Sequence, residues 1–251
     1  MPEIDSSNVV RLPEAVSRPA GDDSSPCAAC PVRELAVCSA LDGHELDRLN
    51  AIRMPAELPQ GSTLFDEGAA ADYVYNLTSG SMKLYKLLPD GRRQITGFVF
   101  PGDFLGLAHD TEYVYAAEAV KDSALCKFKR SQLSRLFDEF PRLESRLLSM
   151  SRDELVEAHN QMLLLGRKTA RERIASFLLM LSRRAEELGV PINPINVPMS
   201  RNDIGDYLGL TTETVSRTLT RLKNTGVIIL NSDRKIDVAD REALEEMADG
   251  F

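Results

Sequence analysis

Apolar and polar positions change their rhythm three times along this 251-residue chain. Residues 1–26 show no period; Ser, Pro, Asp and Gly dominate, as in "GDDSSP" at 21–26. Such a composition buries too little apolar surface to order itself, and a mobile tail is expected. In "LDGHELDRLNAI" Leu46, Leu49 and Ile52 fall on one face and predict a short helix. From Leu58 to Lys129 the alternation shortens. The runs "STLFDEG", "YVYNLTSGSMKLYKLL", "RQITGFVFPGDFLG", "YVYAAEAV" and "ALCKFKR" are punctuated by glycines. Short strands at this spacing predict a β-barrel or β-roll. Asp-Gly in "LLPDGRRQI" supplies the positive φ of a hairpin turn.

The period then becomes helical from Ser131 to about Leu165, with an interruption near Pro141. Leu148, Ser151, Leu155, Ala158, Met162 and Leu165 recur by threes and fours, the spacing of a helix–helix seam. An identical helix from a second subunit is the simplest partner for that stripe; its own roll is the alternative. Small Ser151 and Ala158 permit close approach, while Glu154 and Glu157 would bring like charges together and leave the pairing marginal. A further helix, "TARERIASFLLMLSRRAEELG", is expected to end at Gly189. The linker "VPINPINVP" follows, its three prolines barring continuous helix.

Residues 200–223, "SRNDIGDYLGLTTETVSRTLTRLK", carry the sharpest pattern. Ser200 with Asp203 forms a predicted capping box, and Ile204, Tyr207 and Leu208 give a short helix its apolar face. Gly209 ends it, Thr211 caps a second helix from Thr212, and Val215, Leu219 and Leu222 form the buried side of that helix. Gly205, Gly209 and Val215 stand at helix-turn-helix spacing. Glu213, Ser216 and Arg217 then share the exposed face near the start of the second helix, where base edges are met, and Thr211 and Thr212 at its opening are further candidate DNA contacts. Arg217 suits guanine O6 and N7, and Glu213 suits cytosine N4. "GVIILNSDRKIDVAD" reads as two strands of a wing, which makes Lys223, Arg234 and Lys235 candidate phosphate contacts.

The whole chain carries a net charge of −8, which argues against a basic nucleic-acid coat. Residues 167–237 nevertheless hold 12 Lys and Arg against 8 Asp and Glu, so the positive balance lies at the predicted DNA-binding end. Apolar runs such as "FLLML" are too short for a bilayer, and no signal-peptide pattern opens the chain; a cytoplasmic protein is expected. No nucleophile–base pair, phosphate loop or paired-carboxylate pattern suggests an enzyme. The four cysteines are unevenly spread: Cys27, Cys30 and Cys38 lie within twelve positions and Cys126 far downstream. A reducing compartment disfavours disulfides and makes metal binding or redox chemistry the better reading. Taken alone, the Cys-x-x-Cys is equally a redox pair or half a zinc site, and Cys126 a small core residue. Because it alternates in phase with Ala124 and Phe128, Cys126 is expected to face inward.

A glycine-punctuated roll, a seam helix and a winged helix-turn-helix, in that order, resemble the CRP/FNR family of bacterial transcription regulators. "ETVSR" at 213–217 is similar to the FNR-type recognition signature. The resemblance implies an α+β fold: an N-terminal β-roll (a cyclic-nucleotide-binding-like jelly roll), a long dimerisation helix and a C-terminal winged helix-turn-helix. The expected divisions are a disordered tail (1–26), a cysteine segment and sensor roll (27–130), the dimerisation helix (131–165) and the DNA-binding domain (166–251). It implies a homodimer on a palindromic TTGAT-like operator in double-stranded DNA, recruiting RNA polymerase. The phosphate-binding arginine of nucleotide-binding relatives is missing from "FLGLAHDTEYVYAAEAV", so no cyclic nucleotide is expected. The resemblance also implies an oxygen-labile [4Fe–4S] cluster on Cys27, Cys30, Cys38 and Cys126. A structural zinc on the same thiols, or a cluster-free regulator with a small ligand in the roll, are the rivals.

Overall fold

The computed structural model describes residues 26–109 and 111–250. All but the last residue of the expected tail therefore lies outside the described residues. A short 3₁₀ turn at Val37–Ala40 leads to helix α1 (Gly43–Ile52), opened by a capping box in which Glu45 accepts the Asp42 N–H at 3.1 Å. Its apolar stripe buries Leu46 and Leu49, as the helical period requires.

The roll follows as β1 (Arg53–Leu58), β2 (Thr63–Phe65), β3 (Tyr73–Leu87), β4 (Arg93–Val99), β5 (Phe104–Leu105), β6 (Ala108–His109), β7 (Glu112–Tyr113) and β8 (Ala116–Lys129). The main sheet is ordered β1–β8–β3–β4, with β2 added on β8 and β5 on β3; β6 and β7 pair separately. Alternation at "YVYAAEAV" and "ALCKFKR" suggests two strands, but the chain passes through the polar Lys121–Ser123 as one. Register shifts on β3 around Ser79 and Ser81 absorb the polar stretch without breaking the ladder. Phe65, Tyr75, Leu77, Met82, Leu105, Tyr113 and Leu125 fill the roll interior, with the Phe65 and Tyr113 rings stacked 3.8 Å apart.

Phe140, in a non-helical conformation, separates α2 (Arg130–Glu139) from α3 (Pro141–Arg167). Proline is tolerated at the first helical position, where its missing N–H has no intrahelical role. The 27 residues of α3 extend about 40 Å. Helix α4 (Ala170–Glu187) has its own Thr169–Glu172 capping box, and Gly189 lies just past its end. Then come β9 (Ile195–Asn196), α5 (Arg201–Leu208), α6 (Thr212–Asn224), β10 (Ile228–Leu230), β11 (Lys235–Val238) and α7 (Arg241–Asp249). β10, β11 and β9 make a three-stranded antiparallel sheet. Among the described residues no helix is long and apolar enough to cross a membrane.

Two halves share one core. Ile174, Phe177 and Leu178 of α4 pack with Ile204, Leu208, Val215, Leu219 and Leu222, and that cluster continues to Ile95 and Phe98 of β4. Beside it lies a buried ionic cluster. Lys83 on β3 reaches Glu118 on β8 at 2.8 Å and Asp203 on α5 at 3.0 Å; Arg93 on β4 reaches Asp203 at 2.9 Å and Asp206 at 2.8 Å. The helix-turn-helix is thus docked on the outer face of the roll.

The seam on α3 is open along most of its length. Leu148, Leu155 and Met162 are 51%, 56% and 61% exposed, joined by Val156 and Leu163, so their own roll does not cover them. Ala158 is exposed between them, and Ser151 is half-buried with its hydroxyl donating to Leu147 O at 3.0 Å. Leu165 departs from the expected stripe: it packs against the C-terminal core, because α3 has by then reached α5. The like-charge penalty is also softer than the sequence suggests, since Glu157 has a counter-charge in Arg183 at 3.6 Å.

Candidate functional site

The three clustered cysteines and Cys126 come together. All four line a single cavity of about 290 Å³ between the N-terminal segment, β1, β3 and β8. Strand period places Cys126 there. Ala124, Cys126 and Phe128 share one face of β8 toward the segment, while Leu125 points the other way into the roll interior. The expectation that Cys126 faces inward is thereby corrected: it looks out of the roll, under the cysteine segment.

None of the four is in a disulfide. Burial pushes the Cys38 thiol up to about 12, reinforced by Cys30, Cys27 and Cys126 around it. Burial also raises Cys27 and Cys126, and for both the Arg53 guanidinium in the cavity wall works against that rise. Arg53 is oriented by its Nε–H bond to Asn50 Oδ1 at 3.1 Å, and the Cys27 thiol shares that acceptor at 3.4 Å.

Four soft thiolate donors around one void suit an iron–sulfur cluster. A single tetrahedral zinc, with bonds of about 2.3 Å, draws its sulfurs to within about 4 Å of one another. Among the described residues no three His, Cys, Asp or Glu side chains converge closely enough to hold one ion. By chemistry the four sulfurs suit an iron–sulfur cluster and a structural zinc alike, and what the cavity shows is that they share one lining.

The segment carrying three of these cysteines touches the helix that carries the open seam. Arg146 of α3 donates to Leu35 O at 2.7 Å. On its other side Leu35 meets the roll at Gly102, where a Cβ would stand 2.7 Å from that of Leu35 and where φ is +99°. Only glycine permits this approach. Arg142 of α3 adds an exposed ion pair to Glu45 of α1 at 2.8 Å. Sequence periodicity gives no sign of Arg146 or Gly102, because both act on a segment far away along the chain.

The reading head is built as its local signals suggest. Ser200 Oγ accepts the Asp203 N–H at 3.0 Å, and the Asp203 carboxylate accepts the Ser200 N–H at 3.2 Å. Gly209 adopts φ +62°. A Cβ on Gly205 would come within 2.6 Å of Leu210 O, so α5 and the turn into α6 meet at contact distance. Thr211 Oγ1 caps α6 by accepting the Thr214 N–H at 3.2 Å, and the Thr212 hydroxyl donates to Asn202 at 3.3 Å. Val215, Leu219 and Leu222 are buried, leaving Glu213, Ser216, Arg217 and Lys223 exposed on the opposite side. Glu213 is held below the usual carboxylate range by its own backbone N–H and the Thr211 hydroxyl.

On the wing, Arg234 takes φ +60° and donates to Pro198 O at 3.0 Å, and Lys235 pairs with Asp233 at 2.9 Å. Both remain exposed, though part of their donor capacity is already used. A cation that the sequence reading passed over, Arg201, lines a cleft of about 290 Å³ with Arg234 and Lys235. Burial holds its guanidinium below its ordinary value, a cost that an anion would offset. Its place at the first position of α5 is the only signal the sequence offered.

The roll and the reading head together define a two-part regulator, a sensor-type domain joined to a DNA-binding one. Comparison with known proteins agrees. Residues 55–140 match the cyclic nucleotide-binding domain, and residues 172–247 the Crp-like helix-turn-helix domain. The chain is 42% identical to the nitrogen fixation regulation protein FixK of Bradyrhizobium diazoefficiens, over 81% of this chain and 86% of the relative. It is 40% identical to the transcriptional activator protein FnrL of Cereibacter sphaeroides, over 89% and 92%. The fumarate and nitrate reduction regulatory protein of Escherichia coli K12 is 33% identical over 88% and 90%. The solved structure of FixK2 from Bradyrhizobium japonicum superposes with a TM-score of 0.73 at 40% identity, covering 78% of this chain and 97% of that one. The chain belongs to the CRP/FNR family: it is a DNA-binding transcriptional activator and not an enzyme.

Proposed function

We propose that this regulator responds to oxygen: it dimerises through α3 when Cys27, Cys30, Cys38 and Cys126 hold a [4Fe–4S] cluster, and then binds a palindromic TTGAT-like operator and recruits RNA polymerase. The observation that carries this reading is the convergence of all four cysteines, 88 residues apart at the widest step between neighbours, on one cavity. When bound, the cluster supplies an oxygen-labile cross-link between the N-terminal segment and β8.

The protein's own residues do the rest. Three cysteines tie down the segment that presents Leu35. Gly102 seats Leu35 on the roll, and Arg146 fastens the start of α3 to its carbonyl. Ordering that segment fixes the direction in which α3 offers Leu148, Leu155 and Met162 to a second copy. Two docked heads then present Arg217 and Glu213 to two half-sites one helical turn apart. A coupling of about 1.4 kcal/mol shifts such an equilibrium tenfold, so a few contacts at Leu35 suffice.

The test is sedimentation and operator binding of air-free protein before and after exposure to air. The reading predicts a dimer that grips a TTGAT palindrome and falls to a weakly binding monomer in air. Identical mass and affinity in both conditions would reject it.

A further inference from the structure

Asn76 is only 4% exposed and lines the cysteine cavity, yet its Oδ1 has no hydrogen-bond partner among the described residues. Its amide nitrogen makes a single long bond, to Leu77 O at 3.3 Å. Asn76 stands directly across the β3–β8 ladder from Cys126, so the two side chains leave the sheet on the same face. Orphaned acceptors of this kind are uncommon, and an apolar residue of similar volume would avoid the desolvation cost.

We infer that Asn76 is a polar contact of the group held by the four cysteines, donating an N–H to one of its sulfurs. A half-turn about the last side-chain torsion exchanges the carboxamide oxygen and nitrogen without changing the shape of the side chain, giving up the long bond to Leu77 O for a bond to the occupant. The turned amide presents N–H to a cavity whose occupant has acceptors in its sulfides and cysteinyl sulfurs, and no donors. Hydrogen bonds to sulfur are among the determinants of cluster potential. Such a bond withdraws electron density from the sulfur and makes the core harder to oxidise. Asn76 thus tunes how readily air destroys the group. The inference rests on the cluster reading above and adds to it a residue that is not a ligand.

The test compares the air-free full chain with N76L and N76D, the second matching asparagine in shape but lacking the N–H. Three quantities are read: iron and sulfide per chain, bleaching of the visible absorption in air, and the melting temperature of the cluster-free chain. Both variants should load iron as the parent does and bleach at least threefold faster. Cluster-free N76L should melt no lower than the parent, since the orphaned oxygen is gone. Should N76L fail to fold, the bleaching of N76D decides. Parental bleaching rates in loaded variants overturn the inference, as does a cluster-free N76L that melts lower, which would make Asn76 a packing residue. A parent chain without iron rejects the cluster reading itself, whereas an iron-loaded parent with unchanged variants sinks only the role of Asn76.

Discussion

Replacing Lys83 with methionine removes the cation at the centre of the interface between roll and reading head. The Lys83 side chain is 7% exposed, with Glu118 at 2.8 Å and Asp203 at 3.0 Å. Without it, two largely buried carboxylates keep Arg93 as their only cation among the described residues, 2.9 Å from Asp203 and 4.0 Å from Glu118. At an effective dielectric of 20, unit charges 4 Å apart interact by about 4 kcal/mol, and closer pairs by more. The cost of desolvating Lys83 offsets part of that gain. Breaking one partner out of a buried pair accordingly costs about 3–5 kcal/mol, while neutralising the whole cluster costs far less. Urea unfolding of full-length K83M should show that loss. It should also separate the melting of the roll from that of the head, because the lost Lys83–Asp203 pair joins the two halves. Adding E118Q and D203N to K83M should restore most of the stability, and asparagine keeps the cap on Ser200. A K83M chain within 1 kcal/mol of the parent, the value of an exposed pair, would refute the reasoning: the cluster would then be solvated and hold nothing.

Other outcomes follow from the same structure. L155E on the open seam should leave the air-free protein monomeric by sedimentation, since two leucines that each contribute about 1.5–3 kcal/mol on burial are replaced by like charges; an intact dimer would place the interface elsewhere. R217A should cost about 1–3 kcal/mol of operator binding and relax preference at one base pair. K223A should instead weaken all sequences alike and flatten the salt dependence, and both effects are read from binding to matched and mismatched duplexes at several salt concentrations. Burial works to raise the Asp203 carboxyl, but bonds from Ser200 and Lys83 prevail and hold it below the usual 3.8. Its contribution to stability is therefore full above that value and lost as pH falls through the lower folded value. D203N should remove that acid-side loss from urea midpoints measured against pH.

Legibility followed the range of the forces involved. The reading head was visible residue by residue because its determinants are local: the cap of Ser200, the turn at Gly209 and the buried stripe of α6 each act within a few positions. The seam was legible as a period of threes and fours, but Leu165 was not separable from it, since only the fold shows α5 lying against the end of α3. The roll was legible as alternation, though β8 looked like two strands because the polar Lys121–Ser123 reads as a turn. The face of Cys126 was mistaken for a related reason. Alternation says that Leu125 and Cys126 oppose one another, but both faces of β8 are covered, and the pattern does not say which cover holds the cysteines. Lys83, Arg93, Arg146 and Asn76 left no trace, and Gly102 was legible only as one turn glycine among several, because each gains its meaning from a partner more than 20 positions away or from a cavity.

Iron and acid-labile sulfide per chain, measured on air-free protein and on four variants with Cys27, Cys30, Cys38 or Cys126 changed singly to alanine, address the central claim most directly. The account predicts about four of each in the parent, loss in every variant, and dimers only where the cluster is retained. A parent with a single zinc, or with no metal and an undiminished dimer, would contradict it.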